Sequence, residues 1–311
     1  MLEIKRPLED KSYFLQLLFL VAILIAALIF FNLFALIAAV PFWGLDAIMD
    51  AAALKNLDDP SSINFLKYLQ VVNQIALFII APLFFVFLVS RKKRTYLSLD
   101  KGVDSKMLML SIIAIYTILP FVSWIGEINH DMQLPSFMSG VESWMLNSER
   151  QAADTMLAFL NVDGIFPRLF NLFMIALIPG IGEELLFRGV FQKIFKDWTK
   201  SVHWGVIISA FIFSFFHMQF YGFLPRFVLG LVLGYSLVYS GSLWVPIILH
   251  FLNNATAVIF VYASNSTEIL EKDIESIGAT NSWVVAIFSL MIVVTIIIYM
   301  RNLYIRKNVV H

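Results

Sequence analysis

The sequence predicts an all-α fold, a polytopic bundle of membrane-spanning helices, and three observations carry that prediction. The 311 residues are 60% hydrophobic and 14% charged, with a mean hydropathy of +0.82, whereas soluble domains carry about 25% charged residues. Apolar runs close to the ~20 residues that a spanning helix needs recur along the whole chain. Lysines and arginines gather in alternate connecting segments, the pattern that orients membrane helices.

About eight spans follow from the apolar runs. They cover 13–43, 70–90, 107–125, 167–188, 202–221, 225–240, 243–263 and 282–300. The first run is too long for the ~7–15-residue core of a cleaved signal and reads as a retained helix. The fourth contains Pro179, Gly180 and Gly182, which predict an interrupted helix whose backbone lines a cavity. Pro82 and Pro120 predict ordinary kinks. Gly230 and Gly234 form a Gly-x-x-x-Gly pair, a signal for close helix contact. Between the third and fourth spans lies a long segment, 126–166. Its residues 141–160 place apolar side chains at helical spacing, which predicts an amphipathic helix on the outer surface, either a packing cap or a gate.

An even number of spans puts both termini on one side. With that side cytoplasmic, the inner segments hold 16 of the 22 lysines and arginines. Lys55, Lys67, Arg150, Arg168, Arg226 and Lys272 fall outside. The partition satisfies the positive-inside rule with both termini cytoplasmic. Zero net charge gives no reason to expect a nucleic-acid partner. The absence of cysteine excludes disulfides, thiolate metal ligands and a cysteine nucleophile.

Charge at membrane depth is expensive and marks function. Glu183, Glu184 and Arg188 lie inside the fourth apolar stretch. Adjacent helical residues point about 100° apart, so the two carboxylates take different roles. Arg188 is four residues after Glu184, where an ion pair forms readily. Glu184 and Arg188 therefore read as a brace, and Glu183, without a local cation, as the base facing a cavity. His217 sits among Phe211, Phe213, Phe215 and Phe216, where a histidine is as readily a packing residue as a catalytic one. His250 and Asn254 are four apart and face one way, able to donate to an oxyanion or to ligate. His203, His130 and His311 are weaker candidates, at an inner interface, in an outer loop and at the last position. Counting residues from the span ends puts Glu183 and His250 about 10–15 Å from the cytoplasmic edge and His217 about 22 Å, a loose agreement. A fifth span beginning deeper, near Lys200, would tighten it. The helical zinc-protease motif His-Glu-x-x-His and the phosphate-cradling Gly-x-x-x-x-Gly-Lys are both missing.

Glu183-Glu184-Leu-Leu-Phe-Arg188, Phe213-Ser-Phe-Phe-His217 and His250-Phe-Leu-Asn-Asn254, in this order, resemble the CPBP (CAAX protease and bacteriocin-processing, or Abi) family of intramembrane endopeptidases. The resemblance spans about residues 167–263. It implies three parts: N-terminal helices and an outer loop (1–166), a catalytic core (167–263) and a C-terminal helix (264–311). It implies hydrolysis of a peptide bond in a membrane-associated protein or peptide. Glu183 and His217 would activate water, His250 and Asn254 would stabilise the oxyanion, and Glu184 with Arg188 would support the site. A non-catalytic scaffold or immunity protein of the same fold is the alternative. The chain's look fits a bacterial member placed in the inner membrane, for which a prenylated substrate is not carried over. Glu183, His217 and His250 also form a set that suits Zn2+. Metal-free and zinc-dependent chemistry both stay open at this point.

Overall fold

A computed structural model describes residues 6–52, 57–264 and 282–309. Among the described residues there are helices and no strands. In order they are α1 (Tyr13–Trp43), α2 (Leu45–Ala52), α3 (Pro60–Val89), α4 (Lys93–Tyr96), α5 (Ser105–His130, with a one-residue break at Ile118), α6 (Ser139–Leu160), α7 (Ile165–Thr199), α8 (Val202–Phe216), α9 (Phe223–Ser240), α10 (Trp244–Ser264) and α11 (Trp283–Val309). Among the described residues, seven of these are long and apolar enough to cross a membrane: α1, α3, α5, α7, α9, α10 and α11. The chain is an all-α integral membrane protein.

Both described ends meet the same segment. Leu8 N donates to Leu88 O at 3.0 Å, and Lys307 Nζ donates to Asp104 Oδ2 at 3.3 Å. The described ends therefore lie on one face of the bundle, as expected. α8, where the fifth span was expected, is a shorter apolar helix. At 15 residues it is about 22 Å long, shorter than the expected 202–221 span. It stops at Phe216 because Met218 adopts a left-handed φ of 52°, which an α-helix cannot continue.

A further boundary differs from expectation. The second span begins at Pro60 rather than residue 70. Asp59 caps it by accepting from Ser62 N at 3.0 Å, and Pro60 sits where its missing N–H costs nothing. The polar residues of its first turns hid this start from a hydropathy reading. Lys67, counted with an outer loop, is consequently buried within α3, and Arg168 and Arg226 also lie in helices. Arg188, counted with the inner segments, is buried in the middle of α7.

The expected break at Pro179 is absent. α7 runs 35 residues without interruption. A π-helical stretch, Phe173–Leu177, precedes the proline, and a second, Leu185–Phe191, follows Glu184. The wider π turn accommodates a ring that would otherwise strike the carbonyl one turn back. α3 uses the same device, with π residues Ile75–Ile80 just before Pro82. Gly180 and Gly182 serve close packing instead of a break. A β-carbon at Gly180 would lie 3.0 Å from Phe251 N, and one at Gly182 would lie 2.8 Å from Phe78 Cβ.

α7 is the centre of the fold. Leu186, Phe187, Val190, Phe191 and Ile194 of α7 pack with Leu20, Leu24, Phe85, Val86 and Leu243 in one apolar core. α8 folds back on α7, and Ser209 Oγ donates to Phe187 O at 2.7 Å. α9 then lies against α8. Ala210 Cβ is 3.0 Å from the β-carbon position at Gly230, and Val206 Cγ1 is 2.7 Å from that at Gly234. This is the close contact that the Gly-x-x-x-Gly pair predicts. The amphipathic helix is also present as α6, and its Trp144 packs on Phe220 with ring centroids 5.3 Å apart.

Candidate active site

Glu183 and His217 are brought level by chain length alone. Sixteen residues separate Glu183 from the end of α7 at Thr199, and fifteen separate His217 from the start of α8 at Val202. The two arms of this antiparallel hairpin are therefore both about 22–24 Å. The turn between them has Lys200 in the left-handed region (φ 56°) and Ser201 accepting from Trp204 N. The loose depth agreement of the sequence reading tightens because α8 starts beside the far end of α7.

The far end of α8 is held from several sides. Ser214 Oγ donates to Phe223 O at 2.6 Å. Asn129 of α5 donates to Phe220 O and accepts from Leu224 N. His217 Nδ1 lies 2.9 Å from Phe213 O. A carbonyl only accepts, so Nδ1 carries the hydrogen and Nε2 is left with a lone pair in the neutral ring. The four-residue spacing of Phe213 and His217 is thus what orients the imidazole.

The brace is formed as the i, i+4 spacing predicts. Arg188 Nη1 donates to Glu184 Oε1 at 2.8 Å, with both side chains at 1% exposure or less. Arg188 Nη2 donates to Gly230 O at 3.2 Å, and its guanidinium lies 4.5 Å from the Phe213 ring centroid. His250 Nδ1 also donates to Glu184 Oε1, at 2.8 Å. The buried carboxylate thereby fixes His250 with its Nε2 pointing away. Phe213 lies edge-on to both imidazoles, 5.0 Å from His217 and 5.8 Å from His250 by centroid.

These constraints converge on one oxygen. Glu183 Oε2 lies 3.9 Å from His217 Nε2 and 3.9 Å from His250 Nε2. It is buried and takes no hydrogen bond. Its other oxygen receives a long 3.5 Å contact from Gln74 Nε2 of α3. Gln74 was missed by the sequence reading. Its only signal was an amide in a helix that becomes strongly apolar one residue later.

Asn254 is placed one turn beyond His250. Its Nδ2 donates to Ile175 O at 3.2 Å, and its Oδ1 accepts from Asn253 at 3.3 Å. In an α-helix the carbonyl of residue 175 would bond the N–H of residue 179, which here is proline. Asn254 gives that carbonyl a donor that Pro179 cannot, and keeps one amide hydrogen free. Of the weaker candidates, His203 Nδ1 meets Tyr235 OH and His130 packs on Tyr221. His311 lies outside the described residues.

Three nitrogen and oxygen acceptors facing one space have the donor chemistry of a zinc site. Zinc bonds of about 2.0–2.2 Å place tetrahedral ligands about 3.4 Å apart, about 0.5 Å closer than these. No group of three or more His, Asp or Glu among the described residues has metal-holding geometry. The residues as arranged do not fit the ion.

Residues 165–256 match the family model described as type II CAAX prenyl endopeptidase Rce1-like. This segment is similar to that family. It contains all six motif residues, while Gln74 comes from outside it. The Rce1-like family comprises membrane-embedded CAAX-type endopeptidases. The chain is also 28% identical over 98 residues to an uncharacterized 24.3 kDa protein of Escherichia coli. That similarity covers 30% of this chain and 44% of the relative's length. No solved structure matches the chain.

Proposed function

We propose that the chain is an intramembrane endopeptidase that hydrolyses a peptide bond in a membrane-embedded or membrane-associated protein or peptide. The observation that supports it is the meeting of Glu183 Oε2 with two imidazole Nε2 atoms at 3.9 Å each, with Glu183 and His250 buried and His217 partly exposed. A separation of 3.9 Å is too long for a direct hydrogen bond and short enough for one water to bridge. A water held there donates a hydrogen to Glu183 and turns a lone pair outward. Glu183 takes the proton as water adds to the carbonyl carbon, and later returns it to the departing amine as the C–N bond breaks. His217 helps hold the water. His250, held through Nδ1 by Glu184, donates to the oxyanion from Nε2 with a proton taken from solvent. The free amide hydrogen of Asn254 is a second donor. The base-rich face, with Arg91, Lys92, Lys93 and Arg94, is the cytoplasmic one in this reading.

The test is cleavage of quenched-fluorescent peptides in proteoliposomes by wild type and Glu183→Gln. Loss of a base of this kind costs about 10²–10⁴-fold in rate. Activity that survives chelator and falls that far in the variant supports the reading. Equal cleavage by both proteins removes Glu183 from the mechanism. Loss to chelator, with recovery on adding zinc, replaces the metal-free step.

A further inference from the structure

Two cations share one aromatic ring at the end of α3. The Arg6 guanidinium lies 4.4 Å from the Phe87 ring centroid, and the Lys93 ammonium lies 4.5 Å from the same centroid. The ring attracts each of them weakly where water reaches, while the two charges repel one another. Among the described residues neither is paired with a carboxylate. Glu9, on the same turn as Arg6, accepts from the Arg6 backbone N–H at 3.0 Å instead. Arg6 Nε is buried and makes no hydrogen bond, a costly state for a charged donor.

The pair is held in place by the fold. Leu8, two residues after Arg6, is 3% exposed, and its N–H donates to Leu88 O at 3.0 Å. Gln16 Nε2 of α1 closes the turn by donating to Leu8 O and Lys11 O. Lys93 is the first residue of α4, and Arg91, Lys92 and Arg94 stand exposed around it. Phe87 also ends an apolar stripe on the spanning helix α3. Ile80, Leu83, Phe84 and Phe87 recur at i, i+3, i+4 and i+7 and are each between 38% and 50% exposed. The stripe runs about 10.5 Å along the helix, from the two cations toward the membrane interior.

We propose that Arg6, Lys93 and Phe87 hold the phosphate of one anionic phospholipid in the leaflet on the base-rich face, with an acyl chain lying along Ile80, Leu83 and Phe84. A guanidinium stacked on a ring keeps its N–H edge open to phosphate oxygens, and the ammonium adds a point charge. One phosphate between the two cations turns their repulsion into two attractions. The apolar stripe below them favours a lipid over a free phosphate ion. The excess of bases at this corner favours a headgroup with net negative charge over a zwitterionic one. All of these residues lie outside 165–256 and away from Glu183, so the lipid site does not depend on the hydrolase reading.

The experiment titrates the full-length protein in detergent with phosphatidylglycerol, with phosphatidylcholine of the same acyl chains, and with inorganic phosphate. Bound lipid is counted by native mass spectrometry, and thermal unfolding is followed on the same samples. Wild type is compared with Arg6→Gln/Lys93→Gln and with a control of equal charge, Arg91→Gln/Lys92→Gln. The expected result for wild type is one phosphatidylglycerol bound about tenfold or more tighter than phosphatidylcholine, with a raised unfolding midpoint. The Arg6→Gln/Lys93→Gln protein should lose that preference, and the control should keep most of it. If the double variant does not fold, Lys93→Gln alone, at an exposed position, carries the comparison with an expected loss of about fivefold. Equal binding of the two lipids by wild type, or no binding of either, overturns the proposal. An equal loss in the control reduces the site to a diffuse positive surface and overturns it as well. A midpoint raised as far by inorganic phosphate as by phosphatidylglycerol assigns the cations to a free anion and removes the lipid.

Discussion

Replacing Asn254 with leucine separates two roles that one amide can play. The substitution removes the donor to Ile175 O, whose α-helical partner position is Pro179. Leaving a buried carbonyl unpaired costs about 1–3 kcal/mol in soluble proteins. Polar contacts between membrane helices average about 0.6 and reach about 1.7 kcal/mol. The expected loss for Asn254→Leu is therefore about 1–2 kcal/mol, read as reversible unfolding in mixed micelles. Pro179→Ala restores an N–H at residue 179, which can bond the same carbonyl. In the Pro179→Ala background the cost of Asn254→Leu should shrink by about 1 kcal/mol, the coupling energy of the cycle. Peptidase activity measured on the same four proteins completes the test. If Asn254 also donates to the oxyanion, the double variant regains stability and stays slow. If it is a brace alone, activity returns with stability. An unchanged cost of Asn254→Leu in the alanine background would refute the argument that the proline creates the need for the amide.

Two other outcomes follow from the charges. Arg188→Met leaves Glu184 as a buried carboxylate with only His250 Nδ1 bonded to it, and should lower stability by about 3–5 kcal/mol, with Glu184→Gln added on top recovering part of the loss; thermal unfolding in detergent reads both. At the rim, the Met107 N–H, aided by Lys307, holds the Asp104 carboxyl below its ordinary range, while burial opposes this. A folded pKa below the unfolded one gives stability that is present above about pH 4 and lost as pH falls through the lower, folded value. Asp104→Ala should therefore be less stable than wild type by about 0.5–1 kcal/mol at pH 7. The difference should narrow below pH 4 in melts taken across that range.

Much of this architecture was legible because membrane helices announce themselves through long apolar runs. The Glu184–Arg188 pair was legible for a related reason, since i, i+4 geometry is local. What escaped the sequence depends on contacts between distant segments. Gln74 lies 109 residues from Glu183, and nothing local marks its side chain as facing a carboxylate. Lys67 looked like a loop residue because the first turns of α3 are polar, and only packing against Phe159 buries it. The continuity of α7 through Pro179 depends on a π turn and on an amide from α10, neither of which has a sequence signature. The early stop of α8 at Phe216 rests on one left-handed residue, Met218, of a type that rarely adopts that conformation.

The equal arms of the α7–α8 hairpin have a consequence for how this chain can vary. One residue inserted anywhere between Glu183 and Thr199, or between Val202 and His217, turns one side chain by about 100° and lifts it about 1.5 Å relative to the other. Substitution along those arms can be tolerated wherever packing allows, but a change of length cannot. The Lys200–Ser201 corner, about 22–24 Å from the reacting atoms, is where a length change does least harm. A comparison of gaps in related sequences should find them gathered at that corner and missing from both arms.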